Sequence, residues 1–148
     1  MLQDKASKVP SDFVPQSGTA TGYVAENILL SNIRPYLKKI WFADNDGGCS
    51  GDVLALNVTS ADVLPRFLYF TLASDKFFDY AMQYKKGVKM PRGDKQKILE
   101  YPVLIPTLDA QRELLGKANE LEQEIIAAKE MLFELETKRQ GVLASYLS

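Results

Sequence analysis

Residues 108–148 read LDAQRELLGKANELEQEIIAAKEMLFELETKRQGVLASYLS, and their spacing decides the architecture. Within them, Leu114, Ala118, Leu121, Ile125, Ala128, Leu132, Leu135, Arg139, Val142 and Tyr146 follow one another in alternating steps of four and three without a slip. Arg139 alone interrupts the apolar run. A 3.5-residue period keeps one stripe of a helix turned to a partner over many turns. The helix is expected to be roughly 60 Å long at about 1.5 Å per residue. The body that precedes it needs no strut of that length for its own core, so the helix holds another chain or holds something at a distance. It could instead lie across its own domain, since Glu113, Glu120, Glu122, Glu124, Glu130, Glu134 and Glu136 give it a polar outer face. The narrow stripe with two alanines suits a close helix partner better than a broad surface.

Outward from that helix, the chain divides into three parts. Residues 1–26 are poor in apolar periodicity and rich in Ser, Thr, Gly and Pro, and read as an extended arm or a truncated domain start. Residues 27–106 mix strands and helices without a regular βαβ alternation, which predicts a small α+β domain. Asn27–Ile33 and Leu37–Ala43 are expected to be strands, with Pro35 between them, and Asp52–Val58 a third. Asp44-Asn45-Asp46-Gly47-Gly48 is a turn signal between them. Pro65 suits the first turn of a helix whose apolar face is Phe67, Leu68 and Leu72, and Ser74 can cap a second carrying Phe77, Phe78 and Ala81. A short helix over Asp94–Tyr101 and a short strand over Val103–Ile105 complete the domain. Residues 107–148, starting at Thr107 or Asp109, form the long coiled-coil helix.

The 148 residues are 46% apolar and 25% charged, on the scale of one soluble domain. No apolar stretch approaches the ~20 residues of a membrane span, and Met1–Lys5 has no apolar run of a secretory signal. A single cysteine, Cys49, fits a reducing cytoplasm. The formal net charge of −1 hides an uneven distribution. Residues 108–148 carry eight acids and five bases, whereas residues 1–107 carry thirteen bases and eleven acids. In that body the positive charge gathers at Arg34, Lys38 and Lys39, and again at Lys85, Lys86, Lys89, Arg92, Lys95 and Lys97. Charges beyond about 10 Å are largely screened at ~0.1 M salt, so these local fields matter to a polyanion more than the net charge does.

Catalysis has little to build on. Histidine is absent, as are phosphate-binding glycine loops and metal-ligand clusters, so no catalytic residue, metal or cofactor is expected. Glu136-Thr137-Lys138 matches half of a nuclease signature but lies among the alternating charges of the heptad helix. Cys49 could be a reactive thiol or a plain small residue of a strand. The segment Lys85-Lys86-Gly87-Val88-Lys89-Met90-Pro91-Arg92-Gly93 combines cations with glycines that let backbone approach a surface. Such a loop can donate to phosphates or place an arginine on a guanine edge, or it can be an ordinary exposed connection. The same two options stand for Ile33–Lys39. On the first option Arg34, Lys38, Lys39, Lys85, Lys86, Lys89 and Arg92 face double-stranded DNA.

Three segments in this order resemble a known family. Asn27–Lys39, Gly87-Val88-Lys89-Met90-Pro91-Arg92 and Val103–Arg112, followed by a heptad helix, are similar to the DNA-specificity subunits of type I restriction–modification enzymes. The resemblance covers about residues 23–148. It implies a target-recognition domain that reads part of a split site, and a long spacer helix that pairs antiparallel with a second one. It implies a non-catalytic subunit that docks methyltransferase subunits and, through them, the restriction subunit. Full-length members carry two such domains and two helices, so a chain with one of each is expected to act as a homodimer. Two other classes remain open: the recognition tail of a fused adenine methyltransferase, and a coiled-coil assembly protein that never touches DNA.

Overall fold

The computed structural model describes residues 1–5, 8–9 and 20–147, with the backbone alone for Leu147. The remainder of the expected arm lies outside the described residues. The chain forms two units, Met1–Leu108 and Asp109–Ser148. The first is a mixed α/β body and the second is almost entirely one helix, in line with the α+β class that the sequence predicts.

The body is organised around β2 (Ile28–Ser31), the middle strand of an antiparallel three-stranded sheet. β3 (Ile40–Phe42) flanks it with Leu29 opposite Trp41, and β5 (Val53–Leu56) flanks it with Leu29 opposite Ala55. Ile28, Leu29 and Leu30 are consecutive and all buried because both faces of the strand are covered. Ile28 and Leu30 join Ile40, Leu72, Phe77, Phe78, Ala81 and Ile98 in the main core. Leu29, on the opposite face, packs with Trp41 and Ala43, and Met1, Tyr23 and Cys49 lean on that smaller cluster.

Helices close the main core. α1 (Pro65–Leu72) begins at a proline whose missing N–H costs nothing in the first turn. α2 (Asp75–Gln83) is capped by Ser74, whose Oγ accepts the Phe77 N–H at 3.3 Å. α3 (Lys95–Leu99) is capped by Asp94, which accepts from Gln96 and Lys97 N–H groups at 3.0 and 3.3 Å. Phe77 meets Phe78 and Tyr101 edge-on, with centroids 5.3 and 5.1 Å apart, an arrangement worth more than its buried area alone.

Several expected elements differ. Leu37–Ala43 is not one strand: a 3₁₀ turn spans Pro35–Leu37 and pairing starts only at Ile40. Arg34 and Lys38 bracket this turn with left-handed backbone, φ 50° and 47°. Such residues cost about 1–3 kcal/mol each unless the surroundings hold them. Thr21–Tyr23, expected in the arm, forms β1 and pairs antiparallel with β4 (Gly47–Cys49), which draws two glycines out of the expected turn. Asp4 and Lys5 donate their N–H groups to the Leu37 and Lys38 carbonyls, each at 3.0 Å. Val103–Ile105 is not a strand; its backbone finds no ladder, and Leu104 is 90% exposed.

The second unit is α4 (Leu108–Leu147), 40 residues and about 60 Å of helix. Among the described residues no helix is long and apolar enough to cross a membrane. Truncating Phe77, fully buried at the centre of the core, to alanine should cost about 3–5 kcal/mol. A urea titration followed by far-UV circular dichroism reads this as a lowered midpoint with an unchanged slope.

Candidate nucleic-acid interface

The basic loop is a closed structure, not a slack connection. Lys86 donates its N–H to the Arg92 carbonyl at 2.7 Å, and Arg92 returns the bond to the Lys86 carbonyl at 2.9 Å. Gly87 turns the chain between them with φ 84°, a conformation glycine adopts without penalty. Val88 stands at the tip, 99% exposed, while Pro91 and Gly93 are buried at the base.

That base is docked on the segment leaving β2. Arg34 donates its N–H to the Pro91 carbonyl at 2.7 Å, and Gly93 donates to the Asn32 carbonyl at 3.0 Å. The two basic segments, about fifty residues apart in sequence, thereby share one bridged edge, with Ile33 opposite Arg92. A Cβ on Gly93 would sit 2.8 Å from Ile98 Cδ1 and 2.9 Å from Asn32 Oδ1, so a larger residue here would have to displace those side chains. Asn32 itself is buried, and its Oδ1 has no hydrogen-bond partner among the described residues. Beside it lies an open recess of about 520 Å³ whose walls include Lys86, Met90, Arg92, Asp94 and Lys95.

The seven expected cations fall into two groups. Three are held by carboxylates: Lys38 Nζ lies 3.0 Å from Asp75, Lys86 Nζ 2.6 Å from Asp94, and Arg92 Nη2 3.2 Å from Asp52. Arg34, Lys39, Lys85 and Lys89 carry no ion pair with a described residue. Lys38 is aimed at α2, where Asp75 also receives Lys5 Nζ at 2.7 Å. The hydrogen bond from Lys5, then that from Lys38, holds the Asp75 carboxyl below the usual range. The hydrogen bond from Lys86, seconded by the Lys97 N–H, does the same for Asp94. Lys95, not among the seven, reaches the Gly51 carbonyl at 3.3 Å.

The alternative chemistries gain nothing from the geometry. Burial pushes the Cys49 thiol up, away from the reactive thiolate, and its Sγ lies 3.4 Å from the Thr21 carbonyl. Glu136, Thr137 and Lys138 are exposed on α4, and no group of three or more potential metal ligands gathers among the described residues. Along α4 the side chains of Leu114, Leu121, Ile125, Leu132, Leu135, Val142 and Tyr146 are exposed. Phe133, outside this seam, is also 71% exposed. The Glu113–Lys117 pair, 2.6 Å apart, lies on the polar side and lowers the Glu113 carboxyl.

Among known proteins, the "Type I restriction enzyme EcoDI specificity subunit" of Escherichia coli is 31% identical to this chain over 94 residues. The chain resembles part of a type I specificity subunit. The match takes in 64% of this chain and spans 20% of the relative's length. No family model matches. The acidic partners Asp52, Asp75 and Asp94 are not marked as such in the sequence; of these only Asp94, followed by a short helical run, has a local signal, that of an N-cap.

The Gly93→Ala variant tests the docked base of the loop. It should lose about 1–3 kcal/mol from overpacking. Amide exchange of Lys86, Arg92 and Gly93 should quicken beyond what the thermal melt accounts for.

Proposed function

We propose that this chain is a non-catalytic DNA-specificity subunit of the type I restriction class, with residues 27–106 reading DNA and residues 107–148 serving as spacer and dimerisation helix. The carrying observation is the shared edge formed by Arg34 and the 86–92 loop. It brings the backbone of two distant basic segments together, and such backbone can approach phosphates. Similarity to the specificity subunit over 94 residues supports the same function. Arg34, Lys39, Lys85 and Lys89 neutralise phosphates, whereas Lys38 and Lys86 reach DNA only in competition with their carboxylates.

The exposed seam of α4 pairs with the same seam of a second copy, antiparallel, so that two recognition domains face two half-sites of an interrupted palindrome. Arg139, the charged seam position, sets register, as a buried polar residue in a coiled coil can. The dimer then docks methyltransferase subunits and, through them, the restriction subunit.

Binding to a mixed-sequence duplex should weaken with salt. Four phosphate contacts per protomer give a slope of log K against log salt of about −3.6. Reversing Lys85, Lys86 and Lys89 to glutamate should abolish binding; salt-independent affinity, or binding that survives the reversal, removes DNA from the proposal. Sedimentation should give twice the chain mass, with Leu121→Glu plus Leu132→Glu yielding monomers. A monomer for both the natural chain and Arg139→Leu would remove the paired helices.

A further inference from the structure

Arg92 differs from the other cations in how it is fixed. Its Nε and its Nη2 each lie 3.2 Å from the same oxygen, Asp52 Oδ1. Its backbone is closed onto Lys86 by two hydrogen bonds, and the adjacent Pro91 and Gly93 are tied to Arg34 and Asn32. The other end of the pair is anchored as well. Asp52 precedes β5, and its carbonyl accepts the Asn32 N–H at 2.7 Å. Both partners of this contact are therefore held by backbone hydrogen bonds, although they are 40 residues apart in sequence.

The geometry leaves a defined edge of the guanidinium unused. Arginine has five N–H donors in a rigid plane. Asp52 Oδ1 accepts from Nε, with Nη2 3.2 Å from the same oxygen, and this leaves an adjacent pair of N–H groups at the outer Nη1/Nη2 end. That pair has the spacing of guanine O6 and N7 in the major groove. The side chain remains 50% exposed, so its outer end is reachable. The lysines held by Asp75 and Asp94 offer a compact point charge with no fork. Lys39, Lys85 and Lys89 have no ion pair among the described residues to aim them, which suits phosphates and not bases.

We infer that Arg92 reads a guanine and that Asp52 is its positioning residue, a determinant of sequence specificity that never needs to touch DNA. The inference rests on the DNA-binding function proposed above. The cations then have separate roles, with Arg92 supplying information while Arg34, Lys39, Lys85 and Lys89 supply affinity. The cost is a carboxylate close to a polyanion, which a residue serving affinity alone would not carry.

The test is selection of bound sequences from a random 40-base-pair duplex pool by the full chain, together with total affinity for the unselected pool. The natural chain should enrich a motif with one invariant guanine per half-site. Asp52→Asn and Arg92→Lys should each lower the preference for that guanine about tenfold, the discrimination expected of a bidentate arginine contact. Their affinity for the unselected pool should change less than threefold, and their melts should match the natural chain. Lys89→Ala should instead weaken every sequence equally, keep the motif, and reduce the salt slope by about 0.9. An Asp52→Asn chain that keeps the guanine preference, or binds all sequences more tightly without changing the motif, overturns the inference while leaving DNA binding intact. Binding of the pool by the natural chain without any motif does the same. No binding at low salt defeats the proposed function itself, and the inference with it.

Discussion

Two backbone hydrogen bonds, from Gly93 to the Asn32 carbonyl and from Arg34 to the Pro91 carbonyl, hold the basic loop against the end of the central strand. Neither involves a charged atom, yet the charge pattern of the face follows from them. Because Gly93 has no Cβ, its backbone meets Asn32 without displacing the Ile98 and Asn32 side chains. Because Pro91 is fixed beneath it, Arg92 emerges at one place, opposite Ile33 and within reach of Asp52. A slack loop carrying the same lysines would attract phosphates but could not aim an arginine. The buried strand supplies the rigidity: Ile28, Leu29 and Leu30 are covered on both faces, so the residues that follow leave the core at a fixed position.

The parts of the fold legible in the sequence are those with strong local chemistry. The run Ile28-Leu29-Leu30 announces a doubly covered strand, Pro65 and Ser74 announce helix starts, and the 3.5 period announces α4. The misses share a physical origin in partners that local sequence does not show. Thr21-Gly22-Tyr23 and Gly47-Gly48-Cys49 have no alternation to betray a ladder. They pair because Tyr23 packs edge-on against Trp41, with centroids 5.8 Å apart, and because Gly47 leaves room for the Tyr23 ring. Val103-Leu104-Ile105 has strong strand propensity and no partner, so propensity alone gives no strand. In Arg34–Lys38 the left-handed residues are an arginine and a lysine, types that give no warning of positive φ.

At the site, the sequence locates the cations but not their counterions. Asp52, Asp75 and Asp94 approach Arg92, Lys38 and Lys86 through tertiary structure, and they alter what each cation can do. An exposed ion pair contributes little to stability; its consequence here is direction. A lysine held by an aspartate must release it to neutralise a phosphate, so its net gain in DNA affinity is smaller than its charge implies. An arginine held on one edge keeps its other edge free, so the same pairing costs it less. A count of basic residues treats the seven cations alike, whereas the geometry separates them into three held by carboxylates and four without an ion pair among the described residues.

The long helix poses the complementary problem, since it leaves a stripe of apolar residues exposed. The stripe sets two small residues, Ala118 and Ala128, among larger ones such as Leu121, Ile125, Leu132 and Leu135. In the proposed antiparallel pair, two copies would approach closely where alanines meet and interlock where leucines do. In that proposed pair Arg139 would oppose a free slide along the stripe, because most shifted registers would bury its charge without a partner, at a cost of several kcal/mol. A spacer must not slip if two recognition domains are to stand at a fixed separation on DNA. A seam interrupted by one charge is therefore better suited to measuring a distance than an uninterrupted apolar one, which would bind more tightly but in several registers.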